Sequence, residues 1–384
     1  MRLLAGARHF EVTELPSYEP AGSGEHLYAF LEKEGVDSEQ VVEALCRATG
    51  RPARDVGYAG RKDRAAIARQ WFSIRLADEA GLRAVVAPAS GRISVLELSR
   101  DRSKLRLGQL RGNRFRLGLE PLADASALER LRERVAGLER DGVANRFGAQ
   151  RLGFAGANVA IANAWARGDL ARAAALCIDA RGEWEIGDAL PAGFRPGPTG
   201  RVLGALRRAP GDPAAALRAA GPRFAKLVAS AAQSAVFNAV LDQRRAEGTL
   251  HRLRAGDVAR RKDGGVFRCL PEDLERLNAR AAPGVLEVAA TGPLPGFDAY
   301  APSAAIAAQE RAWSAPAGVD WNAFAKDGPL ASPGDRRALV VPFLEAPELE
   351  PATDALWLRF ALPAGSYATE VLAQLDVAVP ERRG

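Results

Sequence analysis

The chain is poor in the residues that bind metals and form disulfides. Its 384 residues include three cysteines and three histidines, and these lie far apart, at Cys46, Cys177, Cys269, His9, His26 and His251. No CxxC, HxxH or HExxH pair occurs, so the sequence favours neither a zinc site nor a disulfide framework. Few and unpaired cysteines are typical of a reduced compartment, and we expect a cytoplasmic protein.

Long apolar runs are also missing. None is long enough to cross a bilayer, and the first residues do not combine a basic start with an apolar core. We therefore expect a protein that neither spans a membrane nor is secreted. Apolar residues still make up 47% of the chain, which is enough for packed cores. The length favours two domains, or one domain with a large insertion.

Several common catalytic motifs are absent as well. The segment GYAGRKD (57–63) is not a phosphate-binding P-loop, because that motif needs four residues between its glycines and a Ser or Thr where Asp63 stands. Gly153 and Gly156 do not complete a dinucleotide fingerprint, and three dispersed histidines support no Ser/His/Asp arrangement. If the chain is an enzyme, its chemistry uses carboxylate, guanidinium and aromatic groups.

Basic residues, by contrast, are abundant and clustered. The formal net charge is +6. Residues 51–69 contain six basic residues against two acidic ones, and residues 100–116 contain seven against one. Clusters of this kind follow a phosphate backbone in nucleic-acid-binding proteins. A solvated charged surface is the alternative for each cluster taken alone.

Both ends of the chain have α/β character. The apolar spacing predicts a helix over 38–49, with Ser38 as N-cap and Gly50 as the stop. A second helix is predicted to begin with a capping box of Ser126 and Glu129 and to end at Gly142. Alternating residues predict three strands in this part of the chain, over 71–76, 92–98 and 115–122.

The middle of the chain has a different texture. Alanine-rich helical stretches at 157–178 and 224–247 flank a weakly patterned segment, 185–222, and residues 285–337 are again rich in loops. Strand patterns return near residue 338. The simplest organisation is an α/β domain built from both chain ends, with a mostly helical insertion between them.

Three segments carry candidate functional residues. Asp63 stands among basic residues, which keep a carboxylate ionised and suited to act as nucleophile or base; a solvated loop is the alternative. In NRFGAQRLG (145–153), Phe147 lies beside amide and guanidinium groups, a set suited to stacking on an unpaired base. The alternative there is a turn with Phe147 in the core. In LPAGSYAT (362–369), Ser366 is a candidate helix cap, and a structural connection is the alternative.

The segment GYAGRKDRAAIARQWFSI (57–74) resembles the motif of the TruD-type tRNA pseudouridine synthases. Further blocks agree with this family in the same order: HFEVTELPSYEPAGSGEHLYAFLEKEG (9–35), KLRLGQLRGNRF (104–115), NRFGAQRLG (145–153), AAQSAVFNAVL (231–241), TGPLPG (291–296) and LPAGSYATEVL (362–372). The resemblance spans nearly the whole chain and is weakest in 180–222 and 300–335.

This resemblance implies a fold and a reaction. The expected fold is of the α/β (α+β) class, with a pseudouridine synthase catalytic domain formed by 1–156 and 338–384. A mostly helical, family-specific insertion domain is expected over 157–337. The implied reaction is isomerisation of uridine to pseudouridine in tRNA, at position 13 of the D-arm, with glutamate tRNA as the expected substrate. No cofactor, metal or membrane is expected, and the protein is expected to be a monomer.

The resemblance also implies site residues. Asp63 falls on the catalytic aspartate of the family, and Phe147 falls where an aromatic ring stacks on the target base. Asn145, Phe10 and Tyr367 match positions that line the same pocket. The basic residues expected to contact the substrate nucleotide are Lys62, Arg64 and Arg151, and those expected along the RNA backbone are Lys104, Arg106, Arg111 and Arg114.

The chain departs from the family at a few positions. The family usually has a lysine six residues before Phe10, where this chain has Leu4. Three alternatives are open: Arg2 takes its place after a short shift, Arg8 does so, or the basic residue belongs to a stretch upstream. Leu4 also favours the rival function, an RNA-binding or RNA-chaperone protein of this fold with weak or no catalysis.

Overall fold

The computed structural model describes residues 1–85, 87–88, 91–122, 124–191, 194 and 197–380. The chain divides into two compact units. Unit 1 comprises Met1–Val143 and Pro342–Gly384, and unit 2 comprises Ala144–Val341. Unit 1 is thus built from both chain ends, and Asn145, Phe147 and Arg151 belong to unit 2.

The strands and helices follow in chain order. The strands are β1 (Phe10–Pro16), β2 (His26–Glu34), β3 (Val56–Tyr58), β4 (Ile67–Arg75), β5 (Arg92–Asp101), β6 (Leu110–Leu119), β7 (Val143–Ala144), β8 (Val258–Arg261), β9 (Val266–Arg268), β10 (Val288–Leu294), β11 (Asp335–Ala338), β12 (Val340–Val341), β13 (Glu345–Pro351) and β14 (Leu356–Pro363). The α-helices are α1 (Ser38–Thr49), α2 (Glu79–Arg83), α3 (Ala125–Asp141), α4 (Ala149–Leu152), α5 (Ala157–Ala166), α6 (Leu170–Leu176), α7 (Pro198–Arg208), α8 (Pro213–Ala219), α9 (Pro222–Ala246), α10 (Leu274–Ala281), α11 (Ala304–Ser314) and α12 (Ala368–Gln374).

The large sheet of unit 1 has the strand order β13-β14-β6-β1-β4-β2-β5, with β3 paired to β4. Its two faces differ because side chains alternate along each strand. One face is apolar: Leu27, Ala29 and Leu31 of β2 pack in one buried cluster with Val41 and Leu45 of α1. The other face carries partly exposed ion pairs between Arg and Glu side chains, among them Arg69 with Glu11 and Glu32. We call these the core face and the charged face.

The two predicted helices of unit 1 are confirmed, but both predicted caps were wrong. Helix α1 is capped by Asp37, which forms a capping box with Gln40, and Ser38 lies inside the helix. Helix α3 is capped by Asp124, whose carboxylate accepts a hydrogen bond from the Ala127 amide. In each case an aspartate just before the predicted serine provides the acceptor. The predicted stops at Gly50 and Gly142 are confirmed.

Unit 2 packs its helices around α9, whose buried residues include Phe224, Val228 and Phe237. The segment 185–222, predicted as weakly patterned, contributes helices α7 and α8. Unit 2 also contains a sheet of strand order β11-β10-β8-β9, which the expectation of a mostly helical domain did not include. Among the described helices, α9 is the one that is long and apolar enough to cross a membrane. Its most apolar 18-residue stretch is 67% buried inside the protein, as is usual for a core helix.

Candidate active site

Asp63 lies on the loop between β3 and β4 in unit 1, and its side chain is exposed. The backbone beneath it is held from the buried side. The ammonium of Lys33, 1% exposed, donates hydrogen bonds to the carbonyl oxygens of Val36 (2.7 Å), Lys62 (3.2 Å) and Asp63 (2.8 Å). The exposed carboxylate of Asp63 is therefore attached to a backbone that these hydrogen bonds hold in place.

Three further buried side chains hold the same loop. The Ser38 hydroxyl accepts from the Lys62 amide (3.0 Å) and donates to Gln70 (3.1 Å). The Gln70 amide donates to the Gly60 carbonyl (3.0 Å). Lys62 Nζ donates to Glu14 Oε2 at 2.9 Å, and both side chains are buried. Lys62, predicted to contact substrate, is thus placed within the protein as a support of the loop.

The arginines near Asp63 in sequence are engaged elsewhere. Arg61 pairs with Glu39 at 2.6 Å, and Arg69 bridges Glu11 and Glu32. Arg64 donates through Nε to the Gly35 carbonyl (2.8 Å). The buried cation joined to the Asp63 backbone is Lys33, which lies 30 positions away in sequence.

A cleft of about 540 Å³ opens beside this loop. Its lining includes Leu4, Phe10, Arg64 and Ala65. The Phe10 ring is 8% exposed and packs edge-on against Phe115, with the ring centroids 6.4 Å apart. The structure therefore brings two predicted substrate residues, Phe10 and Arg64, to one cleft with Leu4. Of the three alternatives for the missing lysine, neither Arg2 nor Arg8 is among the residues that line this cleft, whereas Arg64 and Arg92 are.

Two more segments of unit 1 adjoin the loop. The Gly108 amide donates to the Ala59 carbonyl (2.8 Å), which fixes residues 104–108 beside GYAG. The Ala364 amide donates to the Arg111 carbonyl (3.1 Å), which joins the turn before α12 to the start of β6, just after that segment. Tyr367 stands at the N-cap position of α12, one residue after Ser366, the predicted cap.

The predicted RNA-backbone residues separate into two groups. Arg106 is exposed on segment 104–108, which adjoins the Asp63 loop, and Lys104 donates to the Arg54 carbonyl (2.5 Å). Arg111 is exposed at the start of β6, just after this segment. Arg114 pairs with Thr13 in register on the charged face, opposite the face that holds Glu14, Lys33 and Gln70. Its guanidinium forms two hydrogen bonds with Glu345, of 2.6 and 2.5 Å.

The segment NRF lies in unit 2, where Asn238 of α9 fixes Phe147. The Phe147 amide donates to Asn238 Oδ1 and the Asn238 amide donates to the Phe147 carbonyl, both at 2.9 Å. The Phe147 ring is 7% exposed and meets Phe237 edge-on, at 5.4 Å and 82°. The core alternative for this ring therefore has direct structural support.

Arg337, at the end of β11, joins Asn145 to Phe147. Its Nε donates to the Asn145 carbonyl (3.1 Å), and a terminal nitrogen donates to Asn145 Oδ1. Its guanidinium lies over the Phe147 ring, 4.2 Å from the centroid. The Asn145 side-chain amide donates to the Ala338 carbonyl (3.0 Å), so both ends of this side chain contact protein groups. Arg151, predicted to bind substrate, contacts Ser230 and lies 5.9 Å from the Phe147 ring.

Sequence reasoning missed Lys33, Glu14, Asn238 and Arg337. A signal existed for Lys33, because it follows Leu27, Ala29 and Leu31 at alternate positions and so falls on the core face of β2. No comparable signal marks Arg337, which lies outside the blocks that match the family. Asn238 lies inside a matching block, AAQSAVFNAVL, but its partner Phe147 is 91 positions away.

Comparisons with known proteins bear on the family and the fold. The family model described as tRNA pseudouridine synthase D (TruD) matches residues 1–190 and 199–375. A protein named tRNA pseudouridine synthase D from Geobacter sulfurreducens is 40% identical over 95% of this chain and 91% of its own. One of the same name from Geobacter metallireducens is 37% identical over 96% of this chain and 93% of its own.

A solved structure shares the fold. The crystal structure of a Methanosarcina mazei protein assigned to tRNA pseudouridine synthase D superposes with a TM-score of 0.72 and is 24% identical. The match covers 98% of this chain and 95% of that one. The α/β fold class and the family predicted from the motifs are thereby confirmed, and the chain belongs to the tRNA pseudouridine synthase D (TruD) family.

Proposed function

We propose that this protein isomerises uridine 13 in the D-arm of tRNA, with glutamate tRNA as a substrate and Asp63 as the catalytic carboxylate. One observation carries the proposal: Asp63 exposes its side chain from a loop that Lys33, Ser38, Gln70 and the Lys62–Glu14 pair fix from below. A reacting group has to be held in place and still be open to the substrate. Asp63 meets both requirements, because its backbone is fixed and its side chain is exposed.

The chemistry accounts for the residue types. The target nucleotide is flipped out of the folded RNA. The bond between C1′ and N1 breaks, the uracil turns, and C5 bonds to C1′; the proton then lost from C5 is balanced by one gained at N1. Asp63 either attacks the ribose at C1′ or takes a proton from C2′, and both routes need an ionised carboxylate.

The remaining residues divide between contact and support. Phe10 and Tyr367 supply aromatic surface for the freed base. Phe147, whose ring is packed against Phe237 within unit 2, enters the proposal as a positioning residue. Arg64 and Arg151 each supply a guanidinium group that can bind an RNA phosphate. Lys62 and Asn145 enter the proposal as positioning residues, because their polar groups already contact protein atoms.

Pseudouridine mapping on an unmodified glutamate-tRNA transcript tests the proposal. Wild-type protein, with no metal or nucleotide added, is expected to form pseudouridine in the D-arm. Asp63→Ala and Asp63→Asn are expected to bind the transcript and form none. Glu97→Gln, which removes an exposed carboxylate of the same unit on the charged face, is the matched control and is expected to keep full turnover.

The outcomes separate two functions. If Asp63→Asn formed pseudouridine at the wild-type rate, Asp63 would not be the catalytic carboxylate. Tight binding without product, by wild-type protein as well, would support the second candidate, an RNA-binding protein of this fold. The observation that favours this candidate is Leu4, an apolar side chain in the cleft beside Phe10 and Arg64. We propose the cytoplasm as the location and a monomer as the active form.

A further inference from the structure

We propose that Lys33 is a positioning residue for Asp63, and that turnover requires Lys33 in its charged ammonium form. The inference rests on the proposed role of Asp63. Lys33 does not reach the exposed side of the loop, because its side chain is 1% exposed and lies on the core face of β2. It acts through the backbone: two of its three hydrogen bonds end on the carbonyls of Lys62 and Asp63.

The number of hydrogen bonds requires the charged form. An ammonium has three N–H donors and no acceptor. Lys33 Nζ faces three carbonyl oxygens, those of Val36, Lys62 and Asp63, at 2.7, 3.2 and 2.8 Å. A neutral amine has two N–H donors and one lone pair, so one carbonyl would lose its donor and face that lone pair. Loss of the proton therefore weakens the link between β2 and the Asp63 loop.

The position is costly for a charge, which argues against a purely structural role. The neighbours of Lys33 across the sheet are Ala68 on β4 and Ile93 on β5, and Leu31 lies beside it on the same face. An apolar side chain of similar length would fill this place without the cost of burying an ion. A protonated lysine is explained if its three donors are needed to fix the loop.

The surroundings set the pH at which the proton is lost. Burial lowers the pKa of Lys33 to about 8. Asp63 on the loop and Asp37 at the start of α1 act in the opposite direction and favour the ammonium, while Lys62 disfavours it. Turnover should therefore fall as the pH rises through about 8.

Stability should change in the other direction. An unfolded lysine has a pKa of about 10.4, so between the two pKa values the unfolded chain binds the proton more tightly than the folded chain. Burial of the charged group costs stability below a pH of about 8, and this cost is relieved as the pH rises. As the pH rises through about 8, the deprotonation of Lys33 should therefore lower the activity without lowering the free energy of unfolding. A group that merely supported the fold would lower both together.

Single-turnover kinetics on the tRNA transcript test the inference in three proteins. In wild type, measured from about pH 6 to about pH 9 on either side of the lowered pKa, the rate should fall through a single deprotonation. Lys33→Met should lower kcat on the order of 100-fold, the effect of a displacement of about 1 Å, and leave KM unchanged because Lys33 contacts no RNA. Lys262→Met, which removes an exposed lysine of unit 2, is the matched control and should behave as wild type.

Asp37→Asn keeps the inference testable if Lys33→Met fails to fold. Asparagine caps a helix as well as aspartate does, so α1 should be retained. The lost negative charge had raised the pKa of Lys33, so the fall in turnover should move to lower pH. Such a shift also distinguishes an ionisation of the protein from one of the uracil, which would not respond to this substitution.

Each result has a defined meaning. A Lys33→Met protein with the same kcat as Lys262→Met would overturn the inference. So would a wild-type rate that does not change as the pH passes about 8. A fall in rate that occurs at the same pH in Asp37→Asn as in wild type would overturn it as well. If Asp63→Asn is inactive while Lys33→Met is fully active, only the role of Lys33 fails. If Asp63→Asn is itself active, the proposed function fails first.

Discussion

Asp63 shows how a single residue can be both accessible and fixed. Its carboxylate is exposed, yet its carbonyl accepts a hydrogen bond from a lysine that is 1% exposed. The basic residues adjacent in sequence, Arg61 and Arg64, make other contacts. Distant buried groups thus hold the backbone of this residue, while its side chain points outward.

In unit 2, Arg337 holds the backbone of Asn145, as Lys33 holds that of Asp63 in unit 1. It combines a hydrogen bond to the Asn145 carbonyl with a guanidinium 4.2 Å from the centre of the Phe147 ring. Arg337→Lys keeps the charge but loses the planar fork and the stacking surface. We expect turnover to fall on the order of tenfold, equivalent to about 1.4 kcal/mol. Single-turnover kinetics at saturating tRNA measure this fall.

Arg337 also has a natural control. Arg311 lies over the Trp321 ring, 4.6 Å from its centroid, in the same unit but among residues unrelated to NRF. Arg311→Lys should leave turnover unchanged. Equal effects of the two substitutions would show that Arg337 acts on the general stability of unit 2 and not on Asn145 and Phe147.

Residue identity was predictable where the signal was local. The sequence singles out Asp63 and Phe147 as candidates because each stands within a short motif of unusual composition. Asn238 and Arg337 were not found, since the atoms they bind lie 91 and 192 positions away. For Lys33, alternation along β2 predicts a place on the core face, but not the hydrogen bond to Asp63, 30 positions away. Hydrogen bonds across such separations are formed by the fold, and no spacing rule within a window of a few residues can reveal them.

At the scale of elements, close backbone approach organises the loops of unit 1. Segment 104–108 lies so near to β3 that a Cβ on Gly57 would stand 2.2 Å from the Leu105 carbonyl oxygen. The Ser73 hydroxyl accepts from the Leu105 amide (2.9 Å) and fixes this approach. GYAG is therefore a docking surface for the basic segment as well as the entry to the Asp63 loop.

Gly57→Ala tests this packing. The added methyl group has to displace segment 104–108, at a cost of about 1–3 kcal/mol in the free energy of unfolding, as for other overpacked sites. Turnover should fall as well, because the segment that carries Arg106 moves. Urea denaturation and single-turnover kinetics measure the two effects.

Gly137→Ala is the matched control. Gly137 lies inside α3, and beyond its chain neighbours and the adjacent backbone of that helix, a Cβ added there would have no described atom within 4 Å. The substitution should raise stability by about 0.5–1 kcal/mol and leave turnover unchanged. A Gly57→Ala protein as stable and active as Gly137→Ala would contradict the docking of segment 104–108 on GYAG.

Helix ends show where local rules succeed and fail. Gly50 ends α1 in the left-handed region, at a φ of 66°, as the sequence predicted. The start was misplaced because Asp37 and Ser38 are both good caps and stand side by side. The fold decides between them: Ser38 is buried and holds Lys62 and Gln70, which leaves the cap to Asp37.

At the scale of the molecule, the excess of basic charge suits a polyanionic partner, but the individual arginines are not equivalent. Arg106 is exposed beside the Asp63 loop and Arg111 is exposed at the start of β6, whereas Arg114 shares two hydrogen bonds with Glu345 on the charged face. An arginine already paired with a carboxylate gains less from a phosphate, since it has to give up that pair. The basic cluster, uniform in the sequence, is therefore divided by the sheet.

Arg111→Ala should weaken the binding of all tRNAs to a similar degree and reduce the slope of log affinity against log salt by about 1. Arg114→Ala should have a smaller effect on both. Filter binding at several salt concentrations measures these slopes, with the exposed Arg132 of α3 changed to Ala as control. A loss confined to one tRNA at an unchanged slope would contradict a phosphate contact.

The sequence by itself determined the family and the α/β class, because local motifs and their order carry both, and it singled out Asp63 as the candidate catalytic carboxylate. Tertiary structure alone decided which groups support that carboxylate: Lys33 from β2, Ser38 from α1, and Glu14 from β1. It also placed Arg337 beside Phe147 and turned Arg114 away from the loop. The physical reason is that hydrogen bonds and charge pairs depend on distances in space, which strand register and packing create from residues remote in sequence.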